Sequence, residues 1–145
     1  MNFLKHWIQP VSYKKIGFED VKYSLENPDL YILINTLSLD HQKNVIKNTI
    51  DAEKEEWMIN KVLEEYQMNI KRIIVYGTNS NDETALNKAN QLVQLGFKNV
   101  YLYCGGMFEW LLLQEIYGFD EFPTTHYVKN SDLLYYKPEC KFTSL

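Results

Sequence analysis

Runs of consecutive apolar residues alternate along this chain with segments whose apolar residues recur every three or four positions. Tyr31, Ile32, Leu33 and Ile34 are apolar in succession, as are Ile73, Ile74, Val75 and Tyr76, and again Val100, Tyr101, Leu102 and Tyr103. Strands covered on both faces, as in a parallel sheet, read this way rather than as an apolar–polar alternation. The intervening patterns are helical. Residues 19–25 form a short stretch closed by Asn27 and Pro28, and residues 53–69 set Met58, Val62, Leu63 and Tyr66 on one helical face. Residues 82–95 carry Ala85, Ala89, Leu92 and Val93 inward and stop at Gly96. Residues 107–117 follow a break at Gly105 and Gly106. Strands separated by helices of this length predict βαβ units and an α/β fold with a parallel sheet.

With 145 residues, no internal repeat and no Pro/Gly-rich linker, one domain over residues 1–145 is the expectation. Composition narrows the function. The net charge of −4 argues against nucleic acid, whose phosphates call for a surplus of lysine and arginine. Arg72 is the chain's single arginine, which matters because arginine is the usual residue for planar recognition of oxyanions. The longest fully aliphatic or indole run, residues 110–113, is far too short to span a membrane. Residues 1–10 carry charge and a tryptophan where a signal peptide has its apolar stretch, so a cytoplasmic location is expected. Cys104 and Cys140 are read as free thiols. His6, His41 and His126 lie far apart without ligand spacing, so neither a metal site nor a cofactor is expected.

In sheets of this kind, sites form where strands run into loops at their carboxyl ends. Two loops qualify: residues 77–81 and residues 104–106. The strand Ile73, Ile74, Val75, Tyr76 is followed by a loop, a helix ending before Gly96 and Phe97, and the strand Asn99, Val100, Tyr101. Gly105 and Gly106 come next, with Trp110 four residues beyond the second glycine. This succession resembles the rhodanese homology domain. Leu33, Ile34 and Asn35 resemble that family's strand ending in aspartate, with Asn35 at the aspartate position, and Asn48, Thr49 and Ile50 resemble its next segment without the glycine. The resemblance covers about residues 15–117, leaving an aromatic-rich extension over residues 118–145. It implies a central parallel sheet of about five strands with helices on both faces. Gly105, Gly106 and Trp110 would be its structural signature.

One departure governs the functional reading. Active rhodaneses carry a sulfur-accepting cysteine directly after the third strand, and here that position is Gly77. The family's loop cradles an anion on backbone amides beside a helix N-terminus. In this chain the loop reads Gly77, Thr78, Asn79, Ser80, Asn81, Asp82, Glu83, without a cation. Arg72 starts the preceding strand, roughly 16 Å away at ~3.3 Å per residue. Ser80 and Glu83 match a capping box, and Asp82 adds a second carboxylate to the first helical turn. The expectation is a degenerate, non-catalytic site serving as a binding or regulatory module for a protein partner. An ordinary solvated loop and helix cap is the plainer reading of these residues.

The alternative from another class is a sulfurtransferase or sulfur carrier using Cys104, which ends the strand beside residues 73–76. Against it stand the usual role of small cysteines as packing and the lack of an adjacent base or cation. The extension holds Phe119, Phe122, Tyr127, Leu133, Leu134, Tyr135, Tyr136 and Phe142, an aromatic density foreign to disordered tails. It is expected either to wrap over the domain or to offer a surface for a partner or a second copy.

Overall fold

The computed structural model describes residues 12–128 and 133–144. Among these residues the sheet has four strands, β1 (Lys14–Ile16), β2 (Tyr31–Asn35), β3 (Arg72–Tyr76) and β4 (Val100–Tyr103). They run in the order β1-β4-β3-β2, and every pairing is parallel. A one-residue bridge between Leu33 and Thr49 extends the β2 edge without making a fifth strand.

The consecutive apolar runs divide between two cores because side chains alternate along a strand. Leu33, Ile74, Tyr76 and Tyr103 face one side, where Val21 of helix α1 (Phe18–Leu25) meets Met107, Trp110 and Leu111 of helix α4 (Gly106–Tyr117). Ile32, Ile34, Ile73, Val75, Val100 and Leu102 face the other. There Ile59 and Val62 come from α2 (Glu55–Glu64), and Ala85, Ala89 and Leu92 from α3 (Glu83–Gln94). The expected α/β architecture with helices on both faces is what the chain adopts.

Local readings need three corrections. Helix α2 stops at Glu64, short of residue 69, because Tyr66 turns into the left-handed region at φ 55°. Tyr66 is therefore 83% exposed instead of lying on the inner face. Ser80 and Glu83 form no capping box. Asp82 is the N-cap of α3, its carboxylate accepting from the Thr84 amide. Strand β1 went unanticipated, since it is a three-residue edge strand with exposed Lys14 and Lys15.

Part of the extension is built into the first core. Phe122 is 3% exposed and meets Trp110 at a ring distance of 5.1 Å and Phe18 at 5.7 Å. The Trp110 Nε1–H donates to the Pro123 carbonyl, and Gln114 donates to the Phe122 carbonyl and the Thr124 hydroxyl. A 3₁₀ turn, Leu133–Tyr136, lays Leu133 and Tyr136 on the same core, while Leu134, Tyr135 and Phe142 stay exposed.

Candidate functional site

The β3–α3 loop begins at Gly77 and is pinned from the side by the turn between β4 and α4. The Met107 amide donates to the Gly77 carbonyl and the Phe108 amide to the Thr78 carbonyl, both at 2.9 Å. Gly106 makes this approach feasible. It sits at φ +66°, and a Cβ there would lie 2.7 Å from the Gly77 oxygen and 2.9 Å from the Asn79 nitrogen. The second glycine of the pair is thus a steric requirement of the loop's position, while Trp110 lies fully buried.

The loop's amides close on a carboxylate supplied by the chain itself. Asp82 Oδ2 accepts from the Thr78 N–H at 2.8 Å, and Oδ1 accepts from the Thr84 N–H at 2.9 Å and from the Thr84 hydroxyl. A Cβ added at Gly77 would stand 2.4 Å from Asp82 Oδ2, 2.8 Å from its Cγ and 3.1 Å from the Ala85 Cβ. A side chain at position 77 would therefore require the Asp82 carboxylate to shift, which its bonds to Thr78 and Thr84 resist. Burial opposes the charge of Asp82, but the hydrogen bonds from Thr78 and Thr84 outweigh it. They hold the carboxyl below its ordinary value.

Around this point the sequence-derived residues separate into roles. Gly77, Thr78, Asp82 and Gly106 come together. Asn79 fixes the loop from within, accepting from the Asn81 amide on its side chain and from the Asp82 amide on its carbonyl. Ser80 is exposed, and Glu83 lies on the rim. Asn35 accepts from the Leu37 amide and pairs with the Gln42 carboxamide, fixing the turn after β2.

Cys104 follows Tyr103 as Gly77 follows Tyr76, and those two tyrosines are register partners. Cys104 thus stands beside Gly77 at the end of the adjacent strand, half-buried against the second core, its Sγ 3.8 Å from the Leu102 carbonyl. Arg72 lies at the opposite, amino end of β3.

Sequence reasoning missed the contribution of the tail. The Asn79 side chain donates to the Tyr136 carbonyl at 3.0 Å, and His41 meets the rings of Tyr135 and Tyr136 at 5.0 and 5.1 Å. These contacts bring Tyr135, Lys137, Glu139 and Lys141 to one wall of a cavity of about 740 Å³. Its other wall holds Thr36, Ser38, Thr78, Asn79, Asn81, Asp82, Glu83 and Thr84. The loop has no cation of its own, but among the described residues its groove is lined by Lys137 and Lys141. Nearby, the exposed Cys140 thiol is held below its ordinary value, first by the amide of Phe142 and then by that of Thr143. Only their neighbourhood in space joins these groups to the loop, and no sequence spacing carries that signal. His126 turns its Nδ1 to the Lys43 carbonyl, and His6 falls outside the described residues.

A parallel sheet with a tight loop after β3, held by a double-glycine turn after β4, defines the class of α/β domain. The chain belongs to the rhodanese-like domain family, which matches residues 17–113. Solved structures share the fold. A protein from Lactobacillus plantarum is 18% identical, with 86% of this chain and 95% of that one covered and a TM-score of 0.55. Thiosulfate sulfurtransferase from Pseudomonas aeruginosa, also 18% identical, has a TM-score of 0.54 over 69% of this chain. This chain spans only 19% of that enzyme's length. The As-Sb reductase from Leishmania major is 22% identical, with 73% and 79% covered and a TM-score of 0.51. No curated protein matches the chain.

Proposed function

We propose that this rhodanese-like domain is non-catalytic and acts as a binding module, its loop and tail forming the groove that meets a protein partner in the cytoplasm. The observation that carries the reading is a residue 77 without a side chain, with the Asp82 carboxylate 2.4 Å from where its Cβ would stand. The amides that hold an anionic substrate in an active relative are here partly spent on an internal anion. A thiosulfate or phosphate dianion arriving at the loop meets Asp82 and Glu83. The groove itself offers hydroxyls, carboxamides and charges of both signs, suited to a polar protein surface rather than to a small dianion.

A second reading rests on the register that sets Cys104 beside Gly77, and on neighbours that include a named sulfurtransferase. In that reaction the Cys104 thiolate attacks the sulfane sulfur of thiosulfate. The new S–S bond forms as the old one breaks, and sulfite leaves with the electron pair. Thiosulfate:cyanide turnover separates the two readings. We expect a rate equal to the buffer background. Turnover that survives purification and disappears in Cys104→Ser would replace the binding module with the enzyme.

A further inference from the structure

A second cavity, of about 140 Å³, lies on the face of the first core and runs from Arg72 at the amino end of β3 to Ile16 on the edge strand β1. Ile16, Ile74, Tyr31 and Tyr101 line it with apolar and aromatic surface, and Arg72 and Asp20 add a cation and an anion. The half-buried Arg72 donates from Nη1 to the Tyr31 hydroxyl at 2.7 Å, which fixes the plane of the guanidinium. A guanidinium has further N–H donors in a fixed fork. Arg72 makes no ion pair among the described residues, where the salt bridges join Lys22 to Glu121, Lys54 to Asp51 and Lys88 to Glu55. The cation and anion of this cavity therefore share one space while staying more than 4.0 Å apart.

Two opposite charges held apart around an apolar surface select a ligand carrying both charges and an apolar body. A lone carboxylate would satisfy Arg72 but face Asp20, and a lone amine would do the reverse. We propose that this cavity binds a free α-amino acid with an apolar side chain. Its carboxylate is forked on Arg72, its ammonium group meets Asp20, and its side chain lies on Ile16 and Ile74 between the two tyrosines. Arginine suits this role because its planar fork matches a carboxylate bidentately. The volume is close to the ~150 Å³ of an apolar cavity that holds benzene, enough for the side chain of leucine, methionine or phenylalanine. This site is independent of the Gly77 loop, which lies at the other end of β3.

The test titrates the full chain with L-leucine, L-methionine and L-phenylalanine, following backbone amide shifts by NMR. The expected result is saturable movement at Ile16, Arg72, Ile74 and Tyr101 with at least one of the three. 4-Methylpentanoate and 3-methylbutylamine, each carrying one of leucine's two charges, should bind about tenfold more weakly or worse. Asp20→Asn and Arg72→Gln should each weaken binding by a similar factor. Asp20 is exposed, so its variant keeps the test valid if Arg72→Gln fails to fold. The proposal is overturned if none of the amino acids moves these resonances by about 10 mM. It is equally overturned if the lone carboxylate binds as tightly as leucine, or if Asp20→Asn leaves affinity unchanged.

Discussion

Asp82 joins two duties that most proteins assign to different groups. Its Oδ1 caps helix α3 through Thr84, and its Oδ2 ties down the loop through Thr78. Replacing it with alanine removes the cap and leaves the Thr78 amide without this acceptor, a loss of about 1–2 kcal/mol at neutral pH. The pH dependence follows from the depressed carboxyl. A group whose folded pKa lies below its unfolded value contributes stability that is present above the unfolded value and is lost as pH falls through the folded one. The ordinary value here is 3.8, and the shift is downward. Urea melts should therefore show the full deficit of Asp82→Ala at pH 6–7. That deficit should shrink only as the pH drops through and below the ordinary carboxylate range, and a gap constant down to the lowest pH would remove the carboxylate's charge from the explanation.

At the scale of elements, strands β2, β3 and β4 are legible because burial on both faces leaves no polar position within the run. Helix existence is equally legible, but helix ends are not. Ser80, Asp82 and Glu83 all suit an N-terminus, and the choice among them depends on the bond from Thr78, which exists only once the loop has closed. Strand β1 stays hidden because its pairing with β4, not an apolar pattern, makes it a strand. The double glycine is visible as a motif, whereas the reason for its second member, the close approach to the Gly77 carbonyl, needs the structure. Gly106→Ala tests that reason. The positive φ and the 2.7 Å contact together should cost about 2–5 kcal/mol. A loss below about 0.5 kcal/mol, the size of an ordinary surface change, would show that the turn and loop are not tightly apposed.

At the scale of the whole molecule, the extension completes the first core and supplies one wall of the groove. Phe122 sits among Trp110, Phe18 and Tyr117, so Phe122→Ala should cost about 3–5 kcal/mol. That is a large share of the ~5–15 kcal/mol typical of a domain. Ending the chain after Gly118 should accordingly give an insoluble or molten product, and a cooperative melt for that fragment would contradict this packing role. The groove's lysines were beyond sequence reasoning for the same reason: Lys137 and Lys141 meet the loop only because the tail crosses it. Intact mass after exposure to thiosulfate tests most directly whether the Asp82 carboxylate closes the space beside residue 77. Gly77→Cys alone should take up sulfane sulfur at position 77 no faster than background, because the carboxylate blocks the thiol and opposes its ionisation. Gly77→Cys with Asp82→Ala should do so about tenfold faster or more. Equal, rapid uptake by the single and double variants would show that Asp82 does not hold the site closed.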